Sequence, residues 1–412
     1  VIIAGGTYDE TVVTPDSRDL MGSGMRAAAA LRSRDVRPQL ATALDEEVAD
    51  EAELVAGALG VELGAVVRRS ERVGFRYATP VSAPAVNGPN AFVRGRGDLE
   101  DTTVLMFGLV EAPDGAFNVA AETLVLDPQK PRDTGPLATE HIRSRDLIVV
   151  ANDTEIRKLG GNVDSAVAAG RLLERNPKVT AVVTKRGAVG SVVTRRAGGD
   201  IVQDLVGAHL TRSVWPIGSG DTFSAGLAHA LDLGADIVQA ARVGSAAAAH
   251  WCSTRDPALP RQLLNGDLSD APPTIGGPGG RVYLAGPFFT VAERWLIDTV
   301  RDQLISLGVD VWSPVHEVGP GGDEVAQADL DGLGISDAVL AILDHSDPGT
   351  VFEVGWAVRR GIPVIGFGTA FDREGAKMMT GTAVEMHRDL STACYRAAWA
   401  SMGMRPQRGW VS

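Results

Sequence analysis

The stretch Asp347-Pro348-Gly349-Thr350-Val351-Phe352-Glu353 places a carboxylate at each end of a turn, and Asp329, Asp331 and Asp337 lie just upstream. An ionised carboxylate partly removed from water can attack a sugar carbon and form a glycosyl ester with the protein. Glu353 follows a Gly-Thr loop and opens the pattern Val354-Gly355-Trp356-Ala357-Val358. That predicts a helix N-terminus, where unpaired N–H groups and the macrodipole would hold Glu353 ionised. The acids are expected past the C-terminal ends of strands or at helix starts, the edge where α/β sheets place their chemistry.

A second set suits a different reaction. Gly218-Ser219-Gly220-Asp221-Thr222-Phe223-Ser224-Ala225-Gly226 is a glycine-rich turn running into a small-residue helix. Glycines let backbone N–H groups approach a phosphate, and the helix N-terminus adds positive potential. Asp221 is placed to take a proton from a hydroxyl while a phosphoryl group is held in line. Upstream, Asn152-Asp153-Thr154-Glu155 and Thr184-Lys185-Arg186-Gly187-Ala188-Val189-Gly190 each follow an apolar run.

Residues 281–367 resemble the nucleoside 2-deoxyribosyltransferase family and its relatives that hydrolyse nucleotide N-glycosidic bonds. Three pieces carry the resemblance: Tyr283-Leu284-Ala285-Gly286-Pro287; Asp329-Leu330-Asp331-Gly332 with Ser336-Asp337; and Asp347 through Gly355. It implies that Glu353 is the nucleophile, that Asp347 and Asp329 contact sugar or base, and that Tyr283, Gly286 and Asp331 line the substrate. Asp331 stands where some members carry Asn, so base preference does not transfer. Members often complete their sites across subunits, which implies a homo-oligomer.

Residues 1–262 resemble the ribokinase-type (PfkB) sugar and nucleoside kinases. The resemblance implies that Asp221 is the catalytic base and that the N–H groups of Gly218, Ser219 and Gly220 form an anion hole for ATP. It also implies that Asn152 and Glu155 organise Mg²⁺ through its waters with no direct ligand, and that Thr184, Lys185, Gly187 and Gly190 lie along the nucleotide. There are departures. Trp215-Pro216-Ile217 stands where many members have Asp-Thr-Thr, so the carboxylate that helps bind a monovalent cation in those members has no counterpart at this position. Gly22-Ser23-Gly24-Met25-Arg26 stands where the substrate motif reads Gly-Gly-Lys-Gly-Ala-Asn. Gly24 and Arg26 are thus substrate candidates. Arg26 presents a cationic fork suited to a charged substrate; the alternative is a surface arginine on the following Ala-rich helix. The sugar-binding acid is Asp9 or Glu10.

The elements that must position these residues are legible as strand–helix alternation. Strands are expected at 1–4, 103–108, 147–151, 180–183 and 191–194, with helices at 26–32, 163–175 and 222–233. The stretch 74–101 is the expected lid over the sugar site. Residues 263–280, Leu-Leu-Asn-Gly-Asp-Leu-Ser-Asp-Ala-Pro-Pro-Thr-Ile-Gly-Gly-Pro-Gly-Gly, deny helix and strand and read as a linker. Beyond it, strands are expected at 282–285, 309–313, 338–343 and 363–367, with helices at 291–307, 326–334 and 352–360. Thr290 is the expected N-cap of the first. Trp295 and Trp356 suit core packing better than base stacking. The expected fold class is a ribokinase-like α/β domain with a small lid (residues 1–262), the linker (263–280), then a doubly wound, flavodoxin-like parallel α/β domain (281–412).

Composition agrees with a cytoplasmic enzyme. The 412 residues suffice for two or three domains with sizeable cores. A net charge of −13 disfavours binding along a nucleic-acid backbone but not binding of mononucleotides. Cys252 and Cys394 suggest no disulfide framework, and the histidines show no zinc spacing. No apolar run is long enough to span a membrane. Val1-Ile2-Ile3-Ala4 reads as a strand, not a signal peptide. The expected function is bifunctional: ATP-dependent phosphorylation of a sugar or nucleoside hydroxyl, and cleavage or exchange of an N-glycosidic bond through Glu353. The alternative is a single N-glycosidase or transferase whose kinase-like half senses nucleotide. The order of the two reactions stays open, with a slight preference for a nucleoside over its 5′-monophosphate in the second domain.

Overall fold

The computed structural model describes residues 1–33, 37–129, 137, 139–319, 321–370 and 373–411. The chain divides into two compact units. The first comprises Val1–Lys185, Gly190–His209 and Pro216–Pro272, and the second Arg186–Val189, Leu210–Trp215 and Pro273–Ser412. Residues 263–280, expected to hold neither helix nor strand, contain the end of the short helix Arg261–Leu264 and a two-residue strand Thr274–Ile275.

Among the described residues the first unit is built on a ten-stranded sheet. Its order is Asp200–Val206, Ser191–Ala197, Val179–Lys185, Ile142–Asn152, Phe117–Asp127, Gly97–Phe107, Ile2–Ala4, Gln39–Leu44, Glu62–Arg69 and Val93–Arg94. The strands from Val179–Lys185 across to Glu62–Arg69 run parallel, and both edges are finished by antiparallel additions. Central runs such as Leu147-Ile148-Val149-Val150-Ala151 are buried throughout, as strands covered on both faces must be. Helices Ser219–Asp232 and Ile237–Thr254 pack closely because their contact residues are small. A Cβ on Gly226 would lie 2.8 Å from Ala247 Cβ, and one on Gly244 would lie 2.7 Å from Phe223 O.

A separate four-stranded sheet joins Ser17–Leu20, Asp9–Val12, Gly74–Tyr77 and Ala85–Asn87. This small sheet stands apart from the main one, and only part of it comes from residues 74–101, the stretch expected to form a lid. The hairpin after the first strand supplies two of its strands, while Gly97–Phe107 extends the main sheet from Gly97 onward. The alternation in 74–101 is too weak to show where lid ends and main sheet begins.

The second unit carries a six-stranded, all-parallel sheet among its described residues. Its order is Asp310–Trp312, Arg281–Ala285, Ala338–Ile342, Val364–Phe367, Val384–His387 and Gly409–Trp410. Second strand, first, third, fourth, fifth is the flavodoxin-like winding, which opens a crevice beside the first and third strands. Helix Val291–Ser306 begins at Thr290 with a complete capping box to Glu293, as its sequence predicts. Trp356 packs against the core, whereas Trp295 is 52% exposed and does not serve as core. No helix among the described residues is long and apolar enough to cross a membrane.

Candidate active sites

In the second unit, Tyr283 is fully buried on the first strand and stacks on Trp312 at 5.1 Å between centroids. Its hydroxyl donates to Glu353 Oε1 at 2.5 Å. Glu353 is not at a helix N-terminus. The helix is Pro348–Arg360, with Asp347 as N-cap and Pro348 in its first turn, so it starts earlier than the expected residue 352. The Asp347 carboxylate accepts from Thr350 N at 2.8 Å and Thr350 Oγ1 at 2.9 Å. Asp347 thus caps the helix through the Thr350 N–H, and Glu353 lies deeper, where burial dominates. Burial pushes its carboxyl up to about 7, the Tyr283 hydroxyl opposes the rise, and Asp329 and Asp347 add to it.

Asp329 lies in the first turn of helix Ala326–Gly334, and burial raises its carboxyl too. Its Oδ1 is buried with no hydrogen-bond partner among the described residues. Tyr283, Glu353 and Asp329 are brought together, since both Glu353 and Asp329 act on the Tyr283 hydroxyl. The remaining acids separate. Asp331 is exposed and accepts from Gln327 Nε2 at 2.8 Å. Asp337 precedes Ala338–Ile342, at the strand's N-terminal end, and accepts from Arg281 N at 2.8 Å. It therefore lies at the opposite edge from the chemistry. Gly286 answers a packing need: a Cβ there would lie 2.8 Å from Ile297 Cδ1 and 3.0 Å from Ile342 Cβ.

In the first unit, Gly218 takes a left-handed conformation (φ +85°) and starts helix Ser219–Asp232, with Asp221 in its first turn. Asp221 Oδ2 accepts from Arg26 Nη1 at 2.7 Å, and Oδ1 from Gln129 Nε2 at 2.9 Å. Burial raises Asp221 to about 6 against the pull of Arg26; Asp127 and Glu10 add to the rise, and Lys185 opposes it. The Ser219 N–H donates to Pro216 O at 3.1 Å, so the turn spends that donor on itself.

Arg26 is not a surface residue, and its guanidinium is engaged by two carboxylates. It is 2% exposed, and its second amino group donates to Glu10 Oε2. The expected helix 26–32 is in fact Gly22–Ala30, which brings the glycine motif inside it. Gly24 is a packing residue: a Cβ would lie 2.6 Å from Gly5 O, and its own N–H donates to Gly6 O at 3.0 Å. Of the two acids left open, Glu10 joins Arg26 and Asp221. Asp9 pairs with Arg72 (Nη2, 2.8 Å) and Arg18, and the Arg72 hydrogen bond holds it below the usual carboxylate range.

Asn152 and Glu155 form a capping box on helix Asp153–Leu159, Glu155 N donating to Asn152 Oδ1 at 2.9 Å and Asn152 N to Glu155 Oε2 at 3.0 Å. Thr184 is buried at the end of its strand. Lys185 Nζ donates to Asp127 Oδ2 at 2.6 Å and lies 3.2 Å from where a Cβ on Gly220 would be. Gly190 takes φ +94° to let the chain pass Ala208 N. Gly187 belongs to the second unit, where a Cβ would lie 3.0 Å from Leu307 Cδ2 and the Trp399 indole donates to Ala188 O at 3.0 Å.

Residues 118–262 match the family model for pfkB family carbohydrate kinases, and residues 282–390 match that for nucleoside 2-deoxyribosyltransferases. Both family models match within one chain, over separate stretches. No curated protein matches it in sequence. Solved structures it is similar to include a ribokinase from Thermotoga maritima, 14% identical, covering 64% of this chain and 97% of that one (TM-score 0.44). A nucleoside kinase from Burkholderia thailandensis, in complex with ADP-inosine, is 16% identical, covering 67% and 98% (TM-score 0.46). A nucleoside kinase from Methanocaldococcus jannaschii is 12% identical, covering 64% and 97% (TM-score 0.46).

The surroundings of Asp221 also include residues that sequence reading passed over. Asp127, 1% exposed at the end of Phe117–Asp127, accepts from both Lys185 and Ser224 Oγ (2.8 Å). Gln129 follows in a left-handed conformation (φ +39°) and reaches Asp221. The available signal was Asp-Pro directly after an apolar strand. A further buried set links Tyr8, Glu111, Arg69 and Asp45, with Tyr8 donating to Glu111 at 2.7 Å and Arg69 to Asp45 at 2.8 Å.

Proposed function

We propose a bifunctional enzyme of nucleoside or nucleotide metabolism, with a kinase segment over residues 1–262 joined by residues 263–280 to a glycosyl-transferring segment over 281–412. The observation that carries the reading is the Tyr283–Glu353 hydrogen bond inside the segment matching nucleoside 2-deoxyribosyltransferases. A carboxyl poised near 7 is ionised in a substantial fraction of molecules at neutral pH and is shielded from water, which suits attack on a sugar carbon. Glu353 attacks the anomeric carbon as the bond to the base breaks, and Tyr283 steadies the carboxylate. Asp329, with its unpartnered oxygen, is ready to take a hydrogen bond from sugar or base. Water or a second base then resolves the ester, giving hydrolysis or exchange.

In the kinase segment Asp221 takes the proton of the acceptor hydroxyl as it attacks the γ-phosphoryl group of ATP. Gly218 and Gly220 allow close approach of the phosphates, and Lys185 adds a cation beside Gly220. No group of three or more His, Cys, Asp or Glu among the described residues could cage a metal ion. The oxygens of Asn152 and Glu155 fit the waters of a Mg²⁺ that arrives on the nucleotide; that ion would neutralise phosphate charge. Because Arg26 is committed to Glu10 and Asp221, the acceptor is a neutral sugar or nucleoside.

The test is incubation of the full chain with a nucleoside and nucleotide panel, with and without Mg-ATP, followed by chromatography of bases and sugar phosphates. Free base without ATP and a sugar or nucleoside phosphate with it are the expected products. Base release without phosphorylation of any acceptor would leave the kinase segment as a nucleotide sensor.

A further inference from the structure

We infer that Arg26 is the positioning residue of Asp221, holding that carboxylate in place and setting its charge in opposition to the lid residue Glu10. The inference rests on the reading of Asp221 as the proton acceptor of the kinase segment.

Arg26 is gripped from several sides. Nη1 donates to Asp221 Oδ2 at 2.7 Å, and Nη2 to Glu10 Oε2. The guanidinium lies over the Trp251 ring, 5.1 Å from its centroid, and the Trp251 indole is tied to Ile217 O at 2.7 Å. Gly218 faces the same guanidinium so closely that a Cβ would collide with Nε, Cδ and Cζ. The planar fork therefore has one orientation, and that orientation aims it at Asp221.

The charges around Asp221 explain why it needs this partner. Arg26 reaches it from helix Gly22–Ala30, Glu10 from the lid, Asp127 and Gln129 from the end of Phe117–Asp127, and Lys185 from the end of Val179–Lys185. Tyr77, on the lid strand Gly74–Tyr77, feels the same cluster, and burial keeps its hydroxyl neutral. Lys185 is already bonded to Asp127 at 2.6 Å. Without Arg26, Asp221 would face two carboxylates with one shared lysine, in a pocket that already disfavours charge. It would hold its proton at neutral pH, and a protonated carboxyl cannot accept another from the substrate. Glu10 acts in the opposite sense. It competes for Arg26 and pushes Asp221 toward the protonated form, so the lid contributes directly to the state of the base.

The test compares pH–rate profiles of phosphoryl transfer by the full chain for the wild type, Arg26→Gln, Arg26→Lys and Glu10→Gln. In the wild type, activity should rise as pH increases through about 6, where Asp221 ionises. Arg26→Gln should move that limb upward by about one pH unit or more, since a close opposite charge is worth roughly one to three units. Glu10→Gln should move it downward, and Arg26→Lys should restore it near the wild-type position. A merely structural Arg26 would lower the rate equally at every pH, and a limb unmoved in both Arg26→Gln and Glu10→Gln overturns the inference. If Arg26→Gln fails to fold, the Glu10→Gln direction still decides. If the wild type phosphorylates nothing, the kinase reading fails by itself. Asp221 can then be titrated by carboxyl ¹³C NMR, with Asp221→Asn for assignment, and an Asp221 titration unchanged by both Arg26→Gln and Glu10→Gln would still overturn the positioning role.

Discussion

Tyr283 donates its hydroxyl to Glu353 Oε1 at 2.5 Å. This bond opposes the burial that pushes the Glu353 carboxyl up to about 7. Nucleophilic attack needs the ionised form, so base release should rise with pH through about 7. Tyr283→Phe removes a donor that favours the ion, and the acid limb of kcat/KM for base release should shift to higher pH. A limb that stays in place would show that the hydroxyl does not govern this carboxyl.

Glu353→Gln keeps shape and volume but cannot form a glycosyl ester. Base release should fall by orders of magnitude. Phosphorylation of an acceptor should continue at close to the wild-type rate, because Asp221 and its partners are untouched. Base release at the wild-type rate, measured by chromatography, would remove Glu353 from the nucleophile's role.

Asp221→Asn should lower phosphoryl transfer by about 10²–10⁴-fold, the usual cost of losing a positioned general base. ATP affinity, measured by calorimetry, should change little, because the glycine turn presents backbone to the phosphates. Loss of ATP binding together with turnover would instead assign Asp221 to the nucleotide.

Glu385 carries a stability prediction for the second unit. It is fully buried and accepts from Arg396 Nε at 2.6 Å, Arg396 Nη2 at 2.9 Å and Gln407 N at 2.5 Å, with His387 Nε2 at 2.8 Å. Burial pushes its carboxyl up, but the bonds from His387, Arg396 and the Gln407 backbone outweigh that and hold it at about 2. A carboxyl held this low contributes stability that is fully present above its unfolded value of about 4.3 and is lost as pH falls through about 2. Arg396→Gln strands the buried charge and should destabilise this unit by about 3–5 kcal/mol at neutral pH. The gap from wild type, measured by denaturant unfolding, should narrow as pH drops below about 4. A gap independent of pH would show that packing, not the ion pair, sets the loss.

Local signals made much of this protein legible before any coordinates. The Thr290 cap, the span 326–334 and the strands at 282–285 and 338–343 follow from caps and apolar runs that involve neighbouring residues only. The motifs around Glu353 and Asp221 likewise carry the resemblance to both families whose models match, because such chemistry demands particular residue types at short spacings. What the tertiary structure decided is how distant residues share space. Asp347 and Pro348 start the helix early, so Glu353 is tuned by burial and Tyr283 in place of a helix terminus. Arg26 lies far from Asp221 in sequence, and only the packing of helix Gly22–Ala30 against helix Ser219–Asp232 turns it from a candidate substrate ligand into the partner of Asp221. Asp127 and Gln129 gain meaning the same way, as strand-end residues whose partners come from other elements. Spacing along a chain specifies local geometry and candidate chemistry; burial and charge pairing depend on which distant surfaces exclude water together, and those arise only in the folded molecule.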